Sequence, residues 1–306
     1  MGQQAFDSNA AARFDRLIAT ALDQGVNFFD SSDAYWDGLH EQWLARALDG
    51  RRSEAIIASK FGNITLPDGR KATNGEPKYV RACCEASLRR LQTDVIDLYY
   101  AHRIDPKVPI EDTVGEMSRL VTEGKVRHLG LCEASAATIR RAHAVHPIAA
   151  LQTELSLWYP DEWLNLHNLL RTMRISFVGY SPLGRGLLTG QIKGLDDLAP
   201  KDRRRIHPRF HDQHIGQNLA LVERMRPLAE ALGLSTAQLA LAWVTHLGDD
   251  VVPVTGTQSE AKLHQSIAAS QYALPVTTVE ALSLIFSPKS RAGTRYPEVM
   301  MPDLGV

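Results

Sequence analysis

Val26–Tyr35, VNFFDSSDAY, is the stretch on which the reading of this chain turns. A short, largely apolar run meets Asp30, then two serines, a second acid and Tyr35. Apolar residues bounded in this way read as a strand buried on both faces. An acid at the carboxyl end of such a strand sits where α/β folds display chemistry. Two later runs repeat the pattern. Ala55–Lys60 (AIIASK) ends in a lysine and Val95–His102 (VIDLYYAH) ends in a histidine. Asp, Lys and His at three strand ends, with a tyrosine close by, form a set that packing does not require. Read singly, each has a plain alternative: a helix-capping Asp, a packed Tyr, a surface Lys and a satisfied core His.

The 306 residues are 44% hydrophobic and 23% charged, ordinary for a globular chain, and α/β barrels of this length are commonly one domain. A formal net charge of −1 gives no global attraction to nucleic acid or anionic membrane, and Arg203–Arg205 reads as a solvated loop. No apolar stretch reaches the roughly 18 residues that span a bilayer. The amino terminus lacks the basic-then-apolar pattern of a secretory signal. Cys83, Cys84 and Cys132 have no metal-ligand spacing and fit reduced thiols, so a cytoplasmic location and no bound metal are expected.

Outward from the opening strand, helical spacing covers residues 9–24 and stops at Gly25, a natural helix-ending glycine. Helices are expected over His40–Leu48, Lys78–Leu91, Ile110–Glu123, Ser135–Ala144, Glu162–Thr172, Asn218–Leu232, Ser235–His246, Ser259–Ser270 and Thr277–Ile285. Strands are expected over Glu54–Lys60, Asp94–His102, Val126–Cys132, Ala150–Glu154, Ser176–Pro182 and Val251–Gly256. Phe61–Pro77 and Gly184–Gln217 read as long loops, and Ser287–Val306 as a loosely held tail outside a folded core of about 9–286. Alternating apolar strands and helices imply a parallel sheet wrapped by helices, either a (β/α)₈ TIM barrel or a doubly wound sheet. Polar residues after strand upon strand favour the barrel. The strand count is one short. Either the first strand is missing from this sequence or Met1–Asp7 improvises it, and the expectation is a chain that starts late.

FDSSDAY, HEQWLARAL, ASKFG, DLYYAHRID, EGKVRHLGLCEAS, LQTELS, GYSPLGRGLLTG and VPVTGT occur in this order, with RFHDQHIGQN and STAQLALAWV between the last two. Together they resemble the aldo-keto reductases, NADPH-dependent (β/α)₈ enzymes, over roughly Gly25 to Ser270, and most closely the bacterial and plant branch. The resemblance implies a single barrel domain that reduces an aldehyde or ketone to an alcohol. It carries a catalytic tetrad onto Asp30, Tyr35, Lys60 and His102. Tyr35 would be the general acid, Lys60 would lower its pKa, Asp30 would hold Lys60, and His102 would orient the substrate carbonyl. The chemistry asks for such a set on its own terms. Hydride addition to a carbonyl makes an alkoxide that needs a proton from a positioned acid, and an ammonium beside a phenol stabilises the phenolate.

The same resemblance puts Tyr180 against the nicotinamide ring and Gln152 on its carboxamide, with Cys132 and Glu133 near by. It runs Ser181, Leu183 and Gly184 along the pyrophosphate, and it sets Thr257 and Lys262 at the adenosine end with its 2′-phosphate. Gly184–Gly190 spells GxGxxxG rather than the dinucleotide fingerprint and reads as a flexible loop. Departures from the family pattern are Cys132 in place of Ser, Gln258, Gln265 and Ser266 in place of Arg, Glu and Asn, and Trp36 in place of Gly. Lys262 is left as the clearest cation for a 2′-phosphate, so NADPH is the expected cofactor and NADH the alternative. Trp36 would wall the mouth of the site or pack under the loop Phe61–Pro77. Two rival readings are a cofactor-binding sensor or interaction protein with little turnover, and a barrel lyase using Lys60 as a Schiff-base nucleophile. Physiological substrate and oligomeric state are not encoded in any of these motifs.

Overall fold

The computed structural model describes residues 8–306. Met1–Asp7, and with them the question of an improvised first strand, lie outside the described residues. In chain order the elements are α1 (Ser8–Asp23), β1 (Phe28–Asp30), α2 (Leu39–Ala47), β2 (Ile56–Phe61), β3 (Asn63–Thr65), β4 (Lys71–Thr73), α3 (Pro77–Leu91), β5 (Ile96–Ala101), α4 (Ile110–Thr122), β6 (Val126–Cys132), α5 (Ala136–Val145), β7 (Ile148–Glu154), α6 (Asp161–Met173), β8 (Ser176–Tyr180), α7 (Asp212–Ala231), α8 (Thr236–His246), β9 (Val251–Val254), α9 (Glu260–Ser270) and α10 (Val276–Ile285). Seven strands form one parallel sheet in the order β1-β2-β5-β6-β7-β8-β9, nearly closed into a barrel. Among the described residues, β1 pairs only with β2 and β9 only with β8. The helix layer nevertheless runs past that seam, because α1 packs on α2 and touches α9, with Arg16 3.7 Å from Glu260.

Strand alternation decides what fills the barrel. Residues two apart share a face, so Ala58, Leu98, Tyr100, Cys132, Ala150 and Val178 meet in an interior cluster, flanked by Phe28, Val252 and Val254. The intervening Ile57, Phe61, Tyr99, Leu129, Leu131, Leu151 and Phe177 face the helices and join the larger core. Gly130 stands opposite Tyr100 in register, and a Cβ there would run into the Tyr100 ring. The glycine therefore makes room for a tyrosine inside the barrel. Because all the pairs are parallel, every carboxyl end in the series emerges at the same mouth.

Three expectations need correction. The segment Phe61–Pro77 is not wholly irregular, since β3 and β4 form an antiparallel hairpin with Asn63 opposite Thr73. Helix α7 begins at Asp212, six residues before the expected Asn218, because His211 leaves the preceding turn in extended conformation and the helix starts behind it. The tail is fastened rather than loose. The Arg291 guanidinium donates to both Asp161 oxygens, at 2.7 and 2.8 Å. Asn218 exchanges hydrogen bonds with the Ala292 backbone, and Gly305 N–H donates to the Glu133 carbonyl. Proline and glycine suppress regular structure there without preventing side chains from anchoring it. Among the described residues, no single helix is long and apolar enough to cross a membrane.

Candidate active site

At the barrel mouth, β1 ends in Asp30, β2 carries Lys60 in its last turn of alternation, and β5 leads into His102. Each faces inward for the same reason of parity: Asp30 follows Phe28, Lys60 follows Ala58, and His102 follows Tyr100. Lys60 has no solvent exposure. Its ammonium donates to Asp30 Oδ1 at 2.5 Å and to the Ser31 carbonyl at 2.7 Å. Asp30 Oδ2 accepts in turn from Gln152 Nε2 at 2.8 Å. A buried charge of either sign would be costly alone, and here the pair is completed by one further acceptor, the Ser31 carbonyl, and one further donor, the Gln152 amide. Burial alone would push the Lys60 ammonium down, but Asp30 and then Tyr35 outweigh it and hold its pKa above the ordinary range. Lys60 is thus neither a surface lysine nor a neutral amine.

Tyr35 stands on the turn after β1, 37% exposed, with its ring centroid 5.1 Å from Lys60 Nζ and edge-on to His102 at 5.8 Å. Its phenol sits above the ordinary value. Partial desolvation pushes it up and Asp30 adds to this, while Lys60 pulls down without prevailing. The expected net lowering by Lys60 is therefore corrected for the protein alone. Burial drives His102 well below the usual imidazole range, helped by Lys60 and Arg103, so the ring is neutral at pH 7. Ser32 Oγ lies 3.1 Å from His102 Nδ1, which leaves Nε2 for a substrate oxygen.

The residues expected to hold the cofactor occupy the next arc of the same mouth. Cys132 and Gln152 are opposite each other in register on β6 and β7, and Tyr180 ends β8 beside Val254 of β9. Cys132 is buried and its thiol is pushed up to about 12, a neutral and weak donor. After Tyr180 the backbone turns sharply: Ser181, Gly184, Arg185 and Gly186 all have positive φ, between 55° and 94°. Gly184, Leu187 and Leu188 are buried in this stretch, so the GxGxxxG segment is a packed pair of tight turns rather than a flexible loop. Leu183 is half-buried at its start. Thr257 Oγ1 accepts from Ser259 N–H at 3.2 Å and so shapes the lead into α9, whose first turn exposes Lys262. A helix amino end with an exposed lysine suits an anionic group. Arg185 Nε, near Tyr180, is buried with no partner among the described residues. The donor set fits a phosphorylated dinucleotide laid across β6–β9.

Several features of this mouth escaped the sequence reading, among them the partners of Glu133, itself expected beside the nicotinamide. Glu133, strained at φ 55°, accepts from the Tyr180 hydroxyl at 2.8 Å and pairs with Arg295 of the tail at 2.6 Å. The Tyr296 hydroxyl lies 2.8 Å from that of Tyr180 and accepts from Arg103 at 3.3 Å. Glu154 is fully buried against Arg209 at 2.5 Å, and Arg209 in turn lies 3.9 Å over the Trp158 ring. No short motif marks Arg295 and Tyr296. His40, expected simply to open a helix, bonds Ser31 through Nδ1 at 2.8 Å and lies edge-on to Tyr35 at 5.9 Å. Trp36 was expected to wall the mouth or to pack under the loop Phe61–Pro77. It packs on α2, against His40 at 5.4 Å and Trp43 at 5.8 Å, with φ 53° where glycine would be unstrained.

The sequence model of the aldo/keto reductase family matches residues 1–284. A probable aldo-keto reductase from Glycine max is 46% identical over 255 residues, 83% of this chain and 73% of that protein. The structure of a glycerol dehydrogenase from Gluconobacter oxydans superposes with a TM-score of 0.85 at 28% identity, over 92% of this chain and 87% of that one. An aldo/keto reductase from Klebsiella pneumoniae, solved with NADP and acetate, shares the fold with a TM-score of 0.73 at 23% identity, over 96% and 92% of the two chains.

Proposed function

The chain belongs to the aldo/keto reductase family, and we propose that it reduces an aldehyde or ketone to an alcohol, with NADPH as hydride donor and Tyr35 as general acid. The observation that carries this reading is the buried Lys60 ammonium, held by Asp30 and 5.1 Å from the Tyr35 ring, with His102 edge-on to the same ring. NADPH supplies the hydride when bound; the rest falls to the protein's own side chains. His102, neutral and fixed through Nδ1, presents Nε2 to the carbonyl oxygen and orients it. Tyr35 then hands its proton to the developing alkoxide. The resulting phenolate is stabilised by Lys60, whose charge is fixed in place before the reaction begins.

Tyr180 would offer its ring to the nicotinamide, with Cys132 and Glu133 beside it. The Gln152 amide, its Nε2 already given to Asp30, keeps Oε1 for a carboxamide. Ser181, Leu183 and Gly184 would follow the pyrophosphate, and Thr257 and Lys262 the adenosine end. A preference for NADPH over NADH rests on Lys262, a point charge for a 2′-phosphate. The reading carries with it a small-molecule carbonyl substrate and a cytoplasmic location. It is tested by incubating the purified chain with NADPH and a panel of reactive aromatic and aliphatic aldehydes. Consumption of reduced nicotinamide matched by equimolar alcohol is the expected result. Tight NADPH binding with no alcohol from any aldehyde would replace this reading with that of a cofactor-binding sensor.

A further inference from the structure

Ser32 is fully buried, and its single hydroxyl proton has two claimants. Asp33 Oδ1 lies 3.2 Å from Ser32 Oγ, and His102 Nδ1 lies 3.1 Å from it on the other side. Oγ also accepts from Ala34 N–H at 3.2 Å, so one of its two lone pairs is already used. The proton count then links the three side chains. When Asp33 is ionised it is the stronger acceptor and takes the Ser32 proton. His102 must then donate Nδ1–H to Oγ, and its Nε2 is bare. When Asp33 carries a proton it donates to Oγ, Ser32 donates to Nδ1, and His102 bears its proton on Nε2. Only in the second arrangement does His102 add a hydrogen-bond donor of its own beside Tyr35 for a substrate carbonyl.

We propose that Ser32 and Asp33 are positioning residues that set the tautomer of His102, with Asp33 as the switch between a donor and an acceptor Nε2. The inference rests on the reductase reading of the site, in which His102 meets the substrate oxygen. The change conserves atoms. One proton enters from solvent at Nε2, Nδ1–H passes to Ser32 Oγ, and the Ser32 proton passes to Asp33; the reverse sequence releases it. A donor Nε2 suits carbonyl reduction, whereas an acceptor Nε2 suits the alcohol of the reverse reaction.

The surroundings allow the switch to work near neutrality. Burial and then Glu41 of α2 push Asp33 up to about 6, against the pull of its bond from Ser32 and of Arg90 of α3. Tyr79 and Cys83, also on α3, feel the Asp33 charge as well, and the Cys83 thiol is pushed up to about 11. Around His102 stand Tyr35, with its phenol raised, and the cations Lys60 and Arg103. Of these shifted groups, Asp33 is the one brought to the middle of the pH range.

The test uses full-length protein labelled with ¹⁵N-histidine, with the His102 ring assigned by comparison with His102→Gln. Long-range ¹H–¹⁵N spectra report which ring nitrogen carries the proton. Wild type should pass from Nε2–H at pH 5 to Nδ1–H at pH 8, and Asp33→Asn and Asp33→Ala should both stay Nε2–H throughout. In parallel, kcat/KM for aldehyde reduction should fall about tenfold or more across that range in wild type, the worth of one hydrogen bond to a developing anion, and should lose this limb in Asp33→Asn. A tautomer that is constant in wild type, or a switch that persists in Asp33→Asn, overturns the proposal. Spectra that switch as expected in a protein that reduces no aldehyde would uphold the relay and count against the reductase reading instead.

Discussion

Replacing Asp30 by Asn probes the buried charge pair at the centre of the site. Lys60 is wholly buried, and the Asp30 side chain is 7% exposed. Asn keeps the shape and still offers Lys60 an oxygen. Gln152 can turn its amide so that Oε1 meets the new Nδ2–H, which keeps the hydrogen bonds satisfied. What is lost is the opposing charge. An uncompensated buried ion costs about 3–5 kcal/mol, a drop in Tm on the order of 5–15 °C for a chain of this size. Lys60 has an escape, which is to shed its proton. Burial, freed from the counter-charge, then pushes its pKa down and caps the stability loss, but the field on Tyr35 disappears with it. The expected result at pH 7 is a measurable fall in Tm, with a fall in reduction of roughly 10²–10⁴, the worth of a positioned acid. Differential scanning calorimetry from pH 6 to 10 reads the first part, and NADPH consumption the second. An Asp30→Asn protein that melts with wild type and keeps its turnover would refute the claim that a buried charge pair organises the site.

Lys262→Ala should raise KM for NADPH about tenfold while leaving NADH unaffected, since it removes a point charge from a 2′-phosphate; equal effects on both cofactors would remove Lys262 from that role. Acid should destabilise the fold through buried neutral histidines. Burial lowers His40 and His207 to about 4 from 6.5, so the stability each contributes is present above 6.5 and lost as pH falls towards 4, up to about 3 kcal/mol apiece. His40→Gln should flatten that limb of a plot of Tm against pH, and an unchanged limb would show that His40 is charged in the fold. Asp33 acts with the opposite sign, its contribution being present below 3.8 and lost as pH rises through about 6. Arg295→Met leaves Glu133 buried without its cation, and about 3 kcal/mol of stability should go with it, together with weaker NADPH binding as Tyr180 loses a fixed neighbour. Chemical denaturation and a fluorescence titration of NADPH would read the two effects, and stability equal to wild type would contradict the anchored tail.

The barrel was legible because strand identity is local. Val126–Cys132 was bounded to the residue, and the strand ends at Asp30, Lys60 and His102 follow from apolar runs of fixed parity. The helix beginning behind Ser235 was equally plain, and its serine and Gln238 form a full capping box. What stayed hidden depends on distance along the chain. Arg295 meets Glu133 across 162 residues, and neither side of that pair carries a local pattern. The hairpin β3–β4 has strands of three residues with one apolar residue apiece, Ile64 opposite Ala72, too short for periodicity to register. The phenol of Tyr35 was misjudged for a different reason. Charge type can be read from sequence, but the balance between desolvation and a neighbouring ammonium needs the depth of both groups.

The central claim is that Tyr35 delivers the proton while cofactor binding resides elsewhere, on the arc from Cys132 to Lys262. A side-by-side comparison of wild type and Tyr35→Phe, reading NADPH affinity by fluorescence and aldehyde reduction by loss of reduced-nicotinamide absorbance, tests it most directly. The account predicts unchanged affinity and a loss of turnover on the order of 10²–10⁴. Turnover retained within a few-fold in Tyr35→Phe would contradict it.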